Sequence, residues 1–129
     1  MKINHILPHS NKFLQLIDNI AKPPHLLYFI GQLPEQRVTT VAVVGSRKPT
    51  SYGKEVTYLL AYDLAKRGII IISGLAFGID AVAHRAALDA GGTTLGVLAG
   101  GLDDIYPAAN RDLASQIIDK GGAIISEYE

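Results

Sequence analysis

Four apolar, largely β-branched stretches recur after Arg37: TTVAVVGS, IIIIS, TTLGVLAGG and AIISEY. Between them lie SYGKEVTYLLAYDLAKRG, DAVAHRAALDAGG and the segment from Pro107 to Lys120, all with helical character. No other feature limits the fold so strongly. Continuous apolar runs suit strands buried on both faces, as in parallel sheets. Strands alternating with helices at this spacing imply right-handed crossovers. The expected class is α/β, a Rossmann-like parallel sheet with flanking helices. The strand order is not readable from the pattern, though 3-2-1-4 is the common choice for such sheets.

The helices carry their own marks. Val56, Leu59, Leu60 and Leu64 fall at helical spacing, with Gly68 as the stop. Alanines in DAVAHRAALDAGG let that helix lie close to a sheet. Proline near the first turn and Gly121-Gly122 behind bracket the third helix.

Residues 1–37 read differently. A short helix is expected from Asn11 to Ile20, capped by Asn11, with Phe13, Leu14, Leu16, Ile17 and Ile20 as its apolar side. Pro23-Pro24 stops it, and Leu26 to Ile30 reads as extended. This N-terminal helical and extended segment is expected to pack on the domain formed by residues 38–129. The strand AIISEY has no helix after it. The final strand is therefore expected at or near an edge, with Ile124 and Ile125 partly uncovered and self-association as the result.

Composition excludes several classes. The chain has 129 residues, 48% of them hydrophobic, which is enough for a real core. Twelve lysines and arginines balance twelve acidic residues, so any DNA site must be a local patch. Without cysteine there is no disulfide frame or zinc finger. No signal-peptide core or membrane-length apolar run is present, so a cytoplasmic protein away from membranes is expected.

In open α/β sheets ligands bind at the carboxyl ends of the strands. Those ends carry GSRKPTSYG, SGLAFGID, AGGLDDIYPAANR and SEYE. Gly45 allows a sharp turn, and Ser46 and Arg47 then stand at the rim ahead of a helix, where arginine suits a phosphate. Beyond Ser73, Gly74 and Gly78 offer backbone N–H groups of the kind that form anion nests. Asp80 is expected to cap the second helix, and His84, four residues on, to form a structural hydrogen-bonded pair with it in preference to a metal site. Tyr106 either stacks on a base or anchors its loop, and Arg111 could meet a phosphate near Asn110. Glu127 could steady Arg47 or a backbone donor, or bind a ribose or base edge. There is no G-x-G-x-x-G, no Walker lysine, no nucleophile–base pair and no metal-ligand cluster. A catalytic role, a cofactor and a metal are accordingly not expected.

VAVVGSR, SGLAFGIDAVAHRAAL, GTTLGVLAGGLDDIYPAANRDL and GAIISEY resemble the DNA-processing protein A family, also called DprA or Smf. The resemblance extends from about Phe13 to the end. It implies single-stranded DNA binding in natural transformation, protection of incoming strands and loading of RecA, with homodimers in full-length members. It makes Arg47 the DNA-contacting arginine. It aligns Gly74, Gly78 and Asp80 with the family's SG-GID loop, and Tyr106, Pro107, Asn110 and Arg111 with its YP-N stretch. Ala108 and Phe77 stand where members often carry basic residues, which leaves positive charge to Arg111 and Lys48. The family also continues past SEY with an FP-RNR loop. The alternative is a small-nucleotide sensor or nucleotide-processing enzyme of the related lysine-decarboxylase-like group. Its PGGxGTxxE pattern is not matched by LAGGLDDIYP, which lacks the threonine and glutamate. The expected mechanism is non-enzymatic: backbone amides and Arg47 grip phosphates, and bases stack on Tyr106 or Phe77.

Overall fold

The computed structural model describes residues 2–129. Its strands are β1 (Asn4–Ile6), β2 (Leu27–Gly31), β3 (Thr40–Ala42), β4 (Ile70–Ser73), β5 (Thr94–Leu98) and β6 (Ala123–Ser126). The helices are α1 (Ser51–Lys66), α2 (Ile79–Asp89) and α3 (Arg111–Asp119). All strands join one six-stranded sheet in the order β1-β2-β6-β5-β4-β3. The strands β3 to β6 run parallel, as the alternation implied. β2 pairs antiparallel with β6, and β1 antiparallel with β2.

The strand order 3-2-1-4 is not what forms. Counted from β3, the four parallel strands lie in the order 4-3-2-1. The reason is where α3 lies. It packs on β6, β5 and β2, so the last crossover extends the sheet beyond β5 and does not return to β3. Right-handed crossovers that all step in one direction put their helices on one face. α1 packs on α2, and α2 on α3.

This order also overturns the expected edge. β6 lies between β2 and β5, with Ile124 and Ile125 buried. The N-terminal segment supplies the strand that covers it. The exposed parallel edge is β3, which is only partly buried and is followed by Val44 at 76% exposure. TTVAVVGS is thus not buried on both faces.

The inner side of α1 is lined by alanine. Val56, Leu59 and Leu60 are exposed, and Ala61 and Ala65 face the core. They belong to one cluster with Ile71 and with Ala83, Ala86 and Ala87 of α2. Small side chains let the two helices approach closely, and the bulky residues of α1 are turned outward as a result.

On the other sheet face, Phe13 and Leu14 pack with Leu27, Ile70, Leu95 and Ile125. The expected α-helix over Asn11 to Ile20 is replaced by turns and a 3-10 helix at Gln15–Asn19. Its repeating backbone bonds span three residues, as from Ile17 N to the Leu14 oxygen. Asn11 does cap the start, its Oδ1 accepting from Leu14 N at 2.9 Å. Arg37 holds the segment down by donating to the Phe13 carbonyl at 2.8 Å, with its guanidinium over the Phe13 ring.

Candidate nucleic-acid interface

The loops after β3 and β4 are fitted to each other before any ligand is considered. Ile79 N donates to the Ser46 carbonyl at 3.1 Å. A Cβ on Gly78 would stand 2.3 Å from that same oxygen, and Gly78 has φ +80°. A Cβ on Gly45 would meet the Ile79 side chain at 2.8 Å. These glycines let two backbone turns touch. Within the first turn, Ser46 Oγ accepts from Lys48 N at 3.0 Å.

The SGLAFGID loop is clamped from three sides. Gly74 N donates to Asp80 Oδ2 at 3.0 Å. Leu75, at φ +61°, donates its N–H to His84 Nε2 at 3.3 Å. Asn110 Nδ2 donates to the carbonyls of Leu75 and Ala76. Thr94 Oγ1 donates its one hydrogen to the Ile71 carbonyl, so it must accept from His84 Nδ1 at 2.7 Å. This assigns the imidazole proton to Nδ1 and leaves Nε2 as the acceptor for Leu75. Burial holds the ring neutral, with its pKa lowered from 6.5 to about 4.

Two sequence expectations change here. Asp80 sits inside the first turn of α2, whose N-cap is Gly78, and reaches back to Gly74 without capping the helix. His84 bonds Leu75 and Thr94, not Asp80. Sequence reasoning missed Thr94 altogether. The only available signal was a pair of threonines opening an otherwise apolar strand.

Above these loops lies a pocket of about 150 Å³. Arg47, Phe77, Tyr106 and the backbone of Ala99 to Gly101 border it, together with Gly74 and Asp104. Phe77 is 43% exposed and Tyr106 72%, so neither ring is a buried anchor. The Tyr106-Pro107 peptide bond is cis. The wall therefore offers one guanidinium, two accessible aromatic faces, a glycine-rich backbone at the strand ends and the Asp104 carboxylate, which is paired with Arg111. Such a set suits a phosphate next to a planar base.

Other candidate residues lie elsewhere. Ser73 is buried, and its hydroxyl donates to the Val43 carbonyl. Arg111 pairs with Asp104, donates to the Ile105 carbonyl at 3.1 Å and lines a different cavity. Glu127 is exposed and lines an apolar groove of about 490 Å³ on the opposite sheet face, near Arg37. It makes no ion pair with Arg47; among the described residues the one ion pair is Arg111–Asp104. No group of three or more His, Asp or Glu residues that could hold a metal occurs among the described residues. No helix among them is long and apolar enough to cross a membrane.

Residues 4–129 match the family profile described as DNA recombination-mediator protein A. The chain belongs to this family. Protein Smf of Synechocystis is 41% identical over 127 residues, which cover 95% of this chain and 32% of that protein. DNA processing protein DprA of Bacillus subtilis is 37% identical, over 98% of this chain and 42% of its own. The chain thus spans about a third to two fifths of the curated relatives it matches. DprA of Streptococcus pneumoniae superimposes with a TM-score of 0.86 at 35% identity, covering 99% of this chain and 44% of its own. DNA processing protein A of Helicobacter pylori gives a TM-score of 0.80 at 34% identity, over 100% of this chain and 57% of its own. The Helicobacter protein has a described single-stranded DNA binding mode. These DprA structures share the Rossmann-like α/β arrangement expected from the sequence.

Proposed function

We propose that this chain binds single-stranded DNA, without catalysing a reaction on it, at the pocket above the carboxyl ends of β3, β4 and β5. One observation carries the reading: Arg47 shares a pocket with two exposed aromatic rings, Phe77 and Tyr106. A guanidinium grips a phosphate, and the rings accept bases of any identity because every base has a π-face. The Helicobacter relative supports the choice of single strands. The relatives and the family resemblance support a place in DNA uptake and recombination in the cytoplasm. By that resemblance the strand is passed to RecA, and whole family members act as dimers.

Within the site, Arg47 contacts phosphate while Phe77 and Tyr106 receive bases. Lys48 adds charge from the same turn. Asp80, His84 and Asn110 keep the middle loop in shape. Gly45, Gly74 and Gly78 allow the loops to approach. Titration with oligo-dT, run beside AMP, tests the reading. Saturable oligo-dT binding that AMP does not displace is expected. Tight AMP binding with no response to oligo-dT would instead favour a small-nucleotide sensor.

A further inference from the structure

Lys54 faces a second groove, of about 430 Å³, bordered by Arg47, Lys48, Pro49, Phe77 and Gly78. This groove shares Arg47 and Phe77 with the strand-end pocket, so the two adjoin at these side chains. No carboxylate lines it. None of its three cations is ion-paired, whereas Arg111 at the start of α3 is neutralised by Asp104. In a chain of zero net charge, such an unbalanced group of cations around an aromatic face is a local exception.

We propose that a bound strand does not end in the strand-end pocket but continues across Phe77 into this groove, where Lys54 takes a further phosphate. The inference rests on the proposed single-stranded DNA binding. It adds a direction for the strand and a contact residue outside the GSR turn. Phe77 then stacks on a base at the crossing, Arg47 holds a phosphate near it, and Lys48 and Lys54 follow the backbone outward. Lysines suit that stretch, because a flexible point charge tolerates a backbone of variable shape.

The distinguishing feature is length. A dinucleotide fills only the strand-end pocket, whereas a twelve-nucleotide strand reaches both. The test is fluorescence anisotropy of dT2 and dT12 at several salt concentrations, with Lys54→Ala, Lys54→Arg and Arg47→Ala in the full chain. Lys54→Ala should leave dT2 unchanged and weaken dT12 by about threefold to fivefold, a range set by the modest worth of one exposed charge contact. Its log-log salt slope for dT12 should fall by about 0.7, the value for one phosphate contact on a single strand. Lys54→Arg should restore both. Thermal unfolding of each variant checks that the fold is intact. If Lys54→Ala leaves dT12 unchanged while Arg47→Ala weakens both oligonucleotides, the inference falls and the binding reading stands. If Lys54→Ala weakens dT2 and dT12 equally, the strand does not take this path. If the unaltered chain binds neither, both fall.

Discussion

The main-chain oxygen of Ser46 occupies the space that a side chain on Gly78 would need. The two residues sit on different loops, one after β3 and one before α2. Their contact fixes where Arg47 begins. Gly78→Ala places a Cβ 2.3 Å from that oxygen and forces φ +80° on a residue with a side chain. A strained backbone of this kind costs roughly 1–3 kcal/mol before any clash. The variant is expected to lose about 2 kcal/mol or more on that scale, and to bind oligo-dT more weakly because the GSR turn must move. Urea unfolding alongside a binding titration checks both effects. Unchanged stability with unchanged binding would mean that the two turns are free of each other.

Protonation of His84 should destabilise the fold from within. Its folded pKa of about 4 lies below the 6.5 of an unfolded histidine. Between those values the unfolded chain binds the proton more readily. The associated stability is therefore complete above pH 6.5 and is lost progressively as pH falls towards 4. The loss should be on the order of 3 kcal/mol across the window. Urea midpoints at pH 7.5, 6 and 5 measure it. His84→Gln should be less stable at neutral pH, yet its midpoint should vary less over this range. An equal pH dependence in both proteins would place the titration on another group.

Arg47→Ala should weaken oligo-dT binding more than Arg85→Ala. Arg85 lies along α2, where its Nη1 donates to Gln116 Oε1, well away from the pocket lining. Binding by the unaltered chain should show a log-log salt slope of roughly −1 to −3, as expected for a few phosphate contacts. Equal losses for the two arginine variants would remove the pocket from consideration. A much steeper slope would reveal a larger basic surface.

Removing either exposed ring should reduce affinity without disturbing the fold. Phe77→Ala and Tyr106→Ala are each expected to cost about 1–3 kcal/mol of binding if a base stacks there. Leucine at the same positions separates stacking from simple apolar contact. Full retention of affinity by Phe77→Leu and Tyr106→Leu would argue against base stacking.

Self-association, where it occurs, should pass through β3 and not through the final strand. Val44, which follows β3 at the open edge, is exposed, while Ile124 and Ile125 are covered. Charged residues blunt such edges. Sedimentation across a concentration series should show less association for Val44→Lys than for the unaltered chain. No difference would move any contact to another surface.

Much of the architecture was legible because period and punctuation are local. The strand after Gly68 and the helix after Gly78 follow from runs of isoleucine and alanine that no other class explains well. Strand neighbours were not legible, since all four parallel strands are similarly apolar and nothing in LLYFIG says that it pairs with AIIS. The orientation of α1 was not legible, because leucines outweigh alanines in a pattern, whereas close packing against Ala83 and Ala87 favours Ala61 and Ala65. At the site, Arg47, Phe77 and Tyr106 could be found from their place at strand ends. The partners of His84 could not, because Leu75 lies in the loop after β4 and Thr94 opens β5, and the two meet only once the sheet has formed.

Ile30 of β2 pairs with Ile124 of β6, so segments far apart in the chain meet at the heart of the sheet. On the ribosome β2 emerges long before its partner exists. β1 can pair with one edge of β2, but the other edge must wait unpaired until β6 has been synthesised. Closing so long a loop carries an entropy cost that local helix formation does not. The order of synthesis and the order of assembly therefore differ, and the nascent chain spends that interval with one open strand edge in need of shelter.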